Sequence, residues 1–108
     1  MNYETKTLPS GIIIENKPKG SHICFWCVKD TNIVHNEGEP AIEDNSGVKY
    51  WYQHNKRHRL DGPAIEYKDG TKFYFIDNVG YDEKDYWELY RVKEYLYLIA
   101  HPELEGFV

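Results

Sequence analysis

A stretch that occurs twice constrains this chain more than any other feature. Asp61-Gly62-Pro63-Ala64-Ile65-Glu66-Tyr67-Lys68-Asp69-Gly70 follows, 23 residues on, Gly38-Glu39-Pro40-Ala41-Ile42-Glu43-Asp44-Asn45-Ser46-Gly47. The same spacing links His35 to His58, Pro40 to Pro63, Ile42 to Ile65, Gly47 to Gly70, Lys49 to Lys72 and Asn55 to Asn78. A fixed period of this length means one supersecondary unit repeated and stacked.

The unit reads as a β-hairpin. Pro40 and Pro63 open a short outgoing strand, where a missing N–H costs no ladder bond. Asp44-Asn45-Ser46-Gly47 and Lys68-Asp69-Gly70 are turn chemistry, with Gly47 and Gly70 at the tips because a tight hairpin needs a left-handed residue. Val48 to Gln53 and Thr71 to Ile76 return. Alternation puts Val48, Tyr50 and Tyr52, with Thr71, Phe73 and Phe75, on the expected core face. Trp51 and Tyr74 fall on the other face beside lysines, either under a helix or as a binding stripe. His54 to Asp61 reads as the connection between hairpins. In this reading Asp61, Gly62 and Pro63 launch a hairpin.

The flanks are different. Residues 1–10 are polar and read as a loop. Residues 11–32 read as an N-terminal hairpin, with strands over Gly11 to Glu15 and His22 to Lys29. After Asn78 the repeat fails. Asp82 is a good N-cap, acidic residues fill the first turn, and His101-Pro102 stops a helix over residues 82–101. Leu89, Val92, Leu96 and Ile99 form its core-facing stripe. The expectation is one α+β domain over 1–108: an antiparallel meander of about six strands with one C-terminal helix packed on it.

Trp51-Tyr52, Asn55-Lys56, His58-Arg59, Asp61 to Tyr67, Asp69-Gly70 and Lys72 together resemble a MORN-type repeat, in the divergent "HRxDGPA" form found in small accessory proteins of tailed bacteriophages. The resemblance covers residues 33–79 and is weaker in the first unit, where Gly38-Glu39 replaces Asp-Gly. It implies stacked antiparallel hairpins, a role in protein or lipid contact, no catalytic residues, and a small phage protein acting on a bacterial host factor.

Composition narrows the function. The chain has 108 residues, a net charge of −5, 10 Tyr, 4 Phe and 3 Trp. The acidic balance argues against nucleic acid or an anionic membrane as the default partner. The aromatic surplus exceeds one small core, and exposed Tyr and Trp favour protein interfaces. Trp51, Tyr52, Arg57, His58, Arg59, Tyr74, Tyr81, Trp87 and Tyr90 are therefore the candidate partner-binding residues. Cys24-Phe25-Trp26-Cys27 has metal or redox spacing, but on a strand the two thiols point to opposite faces and no second knuckle follows. They read as core cysteines, with no metal and no cofactor. His58 with Asp61, and His35 with Glu37 and Glu39, are only histidines near carboxylates, without a nucleophile elbow or phosphate loop.

The expected function is thus a non-enzymatic protein-interaction module, sharpest as a phage-encoded modulator or inhibitor of a bacterial host protein. The alternative is a nucleic-acid binder using the basic and aromatic surface at 51–59. Self-association through an open sheet edge is a further expectation. With no apolar run at the N-terminus long enough for a leader and none long enough to cross a membrane, the expected location is the cytoplasm, of a host cell if viral.

Overall fold

A computed structural model describes residues 3–103. The chain is α+β, with ten strands followed by two helices. The strands are β1 (Glu4–Thr7), β2 (Ile13–Asn16), β3 (His22–Val28), β4 (Ile42–Asp44), β5 (Lys49–Tyr50), β6 (Tyr52–Gln53), β7 (Lys56–Arg57), β8 (Ile65–Glu66), β9 (Lys72–Ile76) and β10 (Val79–Tyr81). The helices are α1 (Glu83–Glu88) and α2 (Tyr90–Ala100). Eight strands form one antiparallel sheet in the order β1-β2-β3-β4-β5-β8-β9-β10, and β6-β7 make a small ribbon of their own. The expected meander with a C-terminal helical cover is what forms.

The 23-residue period survives at the level of single hydrogen bonds. Ala41 N–H donates to Tyr50 O at 2.8 Å, and Ala64 N–H to Phe73 O at 2.9 Å. Asn36 N–H donates to Tyr52 O, and Arg59 N–H to Phe75 O. The stretch read as a connection, His54 to Asp61, contains the turn of the β6-β7 hairpin and its second strand. Its turn residues His54 and Asn55 are both left-handed, with φ of 51° and 67°, and Asp77 and Asn78 repeat this at 49° and 69°. Asparagine tolerates that region, and its side chain also stitches. Asn55 Oδ1 accepts from Val34 N–H at 2.7 Å, and Asn78 Oδ1 from Arg57 N–H at 2.8 Å.

β3 is a third, degenerate copy of the return strand. Trp26 N–H donates to Ala41 O and Trp51 N–H to Ala64 O, while His35 and His58 donate back to Trp26 O and Trp51 O. Trp26 lies 25 residues before Trp51 because its turn is two residues longer.

Strand register sorts the side chains into two faces. Phe25 pairs with Ile42, Ile42 with Tyr50, Tyr50 with Ile65, and Ile65 with Phe73, so these share one face. Trp26, Trp51 and Tyr74, each one residue on, point to the other. The second face is the core: Trp51 is 8% exposed, Tyr74 5%, Ile76 6%, and Phe73 46%. The expected core face is therefore corrected in both units: Tyr50 and Phe73 lie on the opposite face from Trp51 and Tyr74. The helices settle the matter, because Tyr86 of α1 is fully buried and stacks on Tyr74 with ring centroids 4.7 Å apart.

Two clusters fill this side. Leu8, Ile14, Trp26 and Ala41 make one, and Tyr74, Ile76, Tyr86 and Val92 the other. The expected single helix is broken at Leu89, whose ψ of 134° is extended. In a continuous helix Tyr86 and Val92 would stand about 120° apart; the break lets both enter one cluster. Leu89 and Leu96 pack at its margin, whereas Ile99 at the end of the expected stripe is 48% exposed. β1, in the stretch expected to be loop, is an edge strand exposed at all four residues.

Gly62 is fixed by its neighbour. A Cβ there would lie 2.9 Å from the Arg59 guanidinium carbon. In the first unit Asn36 stands at the Arg59 position, and Glu39 is tolerated where Gly62 would be. Gly62→Ala is expected to destabilise the fold by about 1–3 kcal/mol, and by clearly less in an Arg59→Asn background. Chemical denaturation of the four proteins in a double-mutant cycle measures the coupling, and an equal cost in both backgrounds would contradict the packing account.

Candidate functional site

The motif residues form one network on the core side. The Arg59 guanidinium lies over the Trp51 ring, 4.0 Å from its centroid. Its Nε donates to Asp61 Oδ1 at 2.9 Å and its Nη1 to Pro63 O at 3.1 Å. Glu66 stands further off, 3.8 Å from Nη1. Tyr86 Oη donates to Arg59 O at 2.6 Å and accepts Gly62 N–H at 3.2 Å, which ties α1 to the motif. Burial of that hydroxyl pushes the Tyr86 phenol up to about 12. In the first unit Asn36 Nδ2 donates to Pro40 O at 3.2 Å, the same acceptor position with a shorter donor.

The histidines are structural too. His54 N–H donates to His35 Nδ1 at 3.1 Å, and Asp77 N–H to His58 Nδ1 at 3.2 Å, again 23 residues apart. An Nδ1 that accepts a backbone N–H carries no proton, so the ring proton sits on Nε2. In His35 that nitrogen meets Glu37 Oε2 at 2.8 Å, and Ser10 Oγ donates to the same oxygen at 2.7 Å. Glu37 is held below the usual carboxylate range by these bonds, which outweigh its partial burial. For His58, burial lowers the pKa and Arg91 opposes protonation further, while the Asp77 carboxylate works the other way.

A small cavity of about 160 Å³ opens beside Trp51, Arg59, Asp61 and Tyr95. Trp51 Nε1 is buried without a hydrogen-bond partner.

These contacts place the sequence candidates. Trp51 and Tyr74 are buried, which corrects their assignment to a partner surface: one lies under Arg59, the other under Tyr86 and Trp87. His58 is 7% exposed and turned inward, a second correction. Arg59 commits Nε and Nη1 within the chain, and Arg57 lies over Phe75 at 4.2 Å. Tyr52 packs against the first cluster, and Tyr81 and Trp87 against the second. Of the nine, Tyr90 alone is freely exposed, at 79%. Cys24 and Cys27 are free thiols on opposite faces, and burial pushes the Cys27 thiol up.

The open side of the sheet was missed. Phe25, Ile42, Tyr50, Ile65 and Phe73 cross it in one row, and none belongs to either core cluster. Ile42 and Ile65 are sheltered in the row, and Phe73 and Tyr67 at its end meet edge-to-face with centroids 5.9 Å apart. Burial, with Asp44 nearby, pushes the Tyr50 phenol up. The sequence did carry a signal: Phe25-Trp26, Tyr50-Trp51 and Phe73-Tyr74 are adjacent aromatics, and on a strand one of each pair must face away from the other. Among the described residues no helix is long and apolar enough to cross a membrane.

The buried, accepting His58 makes stability pH-dependent. Its folded pKa lies below the unfolded value of about 6.5, so the unfolded chain binds more protons in between. This contribution is complete above about pH 6.5 and is lost as pH falls through the depressed folded value. Thermal melts between pH 8 and about pH 5 are expected to show falling stability, with a shallower fall in His58→Gln. An unchanged acid slope in that variant would contradict the assignment.

No family model, no curated protein and no solved structure matches the chain.

Proposed function

We propose that this chain is a non-enzymatic protein-interaction module, and that its partner docks on the open sheet face around Phe73 and Tyr67. One observation carries the reading: among the described residues an apolar row crosses the sheet from Phe25 to Phe73 outside both core clusters, and ends in two exposed rings. Aromatic rings held on a sheet lose little side-chain entropy on docking and bury a large area per residue. The polar clusters support the same reading from the other side. Asp61, Arg59, His58, His35 and Glu37 are committed to hydrogen bonds inside the fold and are not arranged around a reacting atom.

The sharper form, a phage-encoded modulator of a bacterial host protein, rests on the MORN-type resemblance of residues 33–79. The nucleic-acid reading is weakened by the engagement of Arg57 with Phe75 and Asn78 and of Arg59 with Trp51 and Asp61.

Affinity purification from bacterial lysate tests the proposal. The wild-type chain is expected to retain a stoichiometric protein partner, and a Phe73→Ser/Tyr67→Ser double variant to lose it while circular dichroism shows it still folded, with a melting temperature lowered by the area those half-buried rings contribute. Absence of a stoichiometric partner, or retention by a folded double variant, would overturn it.

A further inference from the structure

The first strand of the sheet is an unprotected edge whose backbone and charges are complementary to themselves. Leu8 N–H donates to Ile12 O at 2.8 Å, so Leu8, and with it Lys6 and Glu4, turn their backbone groups inward to β2. The other side of the register agrees. Ile13 O accepts from Lys29 N–H of the segment after β3, so Thr7, opposite Ile13, has its polar groups turned outward. Thr5 and Thr7 therefore present N–H and C=O away from the sheet. β1 is exposed throughout and contains neither proline nor a bulge; it is short, and its charges, Glu4 and Lys6, are of opposite sign, so they do not repel an antiparallel copy as a run of like charge would. The opposite edge, β10, is three residues long and runs straight into α1.

We infer that two copies of this chain pair antiparallel through β1, with the two-fold axis at Thr5. In that register Thr5 meets Thr5 of the other copy and Tyr3 meets Thr7, both as pairs that exchange two backbone hydrogen bonds, because these are the residues whose polar groups face out. Glu4 then falls opposite Lys6 of the other copy, twice, as a close non-hydrogen-bonded pair with side chains on one face. A register displaced by one residue would bring inward-turned groups to the interface and lose the ladder. Lys6 now lies over Trp26 at 4.5 Å from the ring centroid, and Glu4 is 3.5 Å from Asn16 Nδ2, so both charges stand on the face where the partner's would arrive. An isologous contact closes after two copies and produces a dimer, not a fibre. The pairing joins two sheets edge to edge and leaves the Phe25-to-Phe73 row of each copy open, so it is independent of the function proposed above.

Sedimentation velocity on the full chain over a wide concentration range tests this. The wild type is expected to dimerise and to dissociate on dilution. Thr5→Pro removes an N–H that bonds nothing among the described residues, so the variant is expected to keep the wild-type circular dichroism and melt yet to stay monomeric. Glu4→Lys is expected to weaken the dimer by about tenfold or more, and Glu4→Lys/Lys6→Glu to restore it. A wild type that is monomeric throughout, a folded Thr5→Pro variant that still dimerises, or a Glu4→Lys dimer of undiminished strength would overturn the inference. If Thr5→Pro fails to fold, the charge exchange decides.

Discussion

The Arg59 guanidinium, held over the Trp51 ring between Asp61 and Pro63, sets the shape of the second unit. A cation over an indole gains about 0.5–2 kcal/mol depending on how dry the site is. Here the larger consequence is geometric. Once the guanidinium sits there, a side chain on residue 62 would have to displace it from Asp61 and Pro63, and the backbone of residues 59–62 is brought within reach of a single phenol hydroxyl from α1. Removing Arg59 would leave the Asp61 carboxylate and the Pro63 carbonyl without their donor, and would uncover Trp51. The motif is thus one packing solution in which each member exists because of the next.

The first unit shows the same logic with different members. Asn36 replaces the arginine and reaches the same carbonyl. With no guanidinium to clear, Glu39 stands where glycine would be required. The departure from the motif is coordinated substitution, not decay. Above it, Trp26 takes the place of Trp51, and Lys6 from β1 supplies the cation. Each aromatic of the core side is therefore covered by something: Lys6, Arg59, and finally the helix pair. On the other side of the sheet no helix packs among the described residues; Arg57 lies over Phe75 and His22 stacks on Phe25, while Phe73 and Tyr67 stay exposed.

Much of the fold was legible in the sequence because the period fixes what turns where. Gly47 and Gly70 sit at hairpin tips with φ of 91° and 94°, as turn chemistry requires. Less legible was which face is inside. Phe73 and Tyr74 are both apolar enough to be buried, and alternation alone cannot choose between them; the choice is made by Tyr86 and Trp87, distant in sequence. The β6-β7 hairpin was hidden because His54-Asn55 lacks the glycine that announces such turns, and asparagine serves instead. β1 was hidden because a polar edge strand needs only one neighbour to bond to. The candidate site was misread for one reason: Trp51, Tyr74 and His58 belong to the conserved spacing of the repeat, and residues that recur with a packing period are the ones that packing uses.

Native-state hydrogen exchange tests most directly the claim that the aromatic ladder, and not the helical cover, is the spine of this fold. The amides of Trp26, Trp51 and His58, which join successive units, and of Ala64, which closes the second hairpin on Phe73, are predicted to be among the slowest to exchange and to open together with global unfolding. Amides of α2 are predicted to open earlier, because that helix buries only Val92 fully. Protection in α2 that outlasts Trp51 and Ala64 would contradict the account.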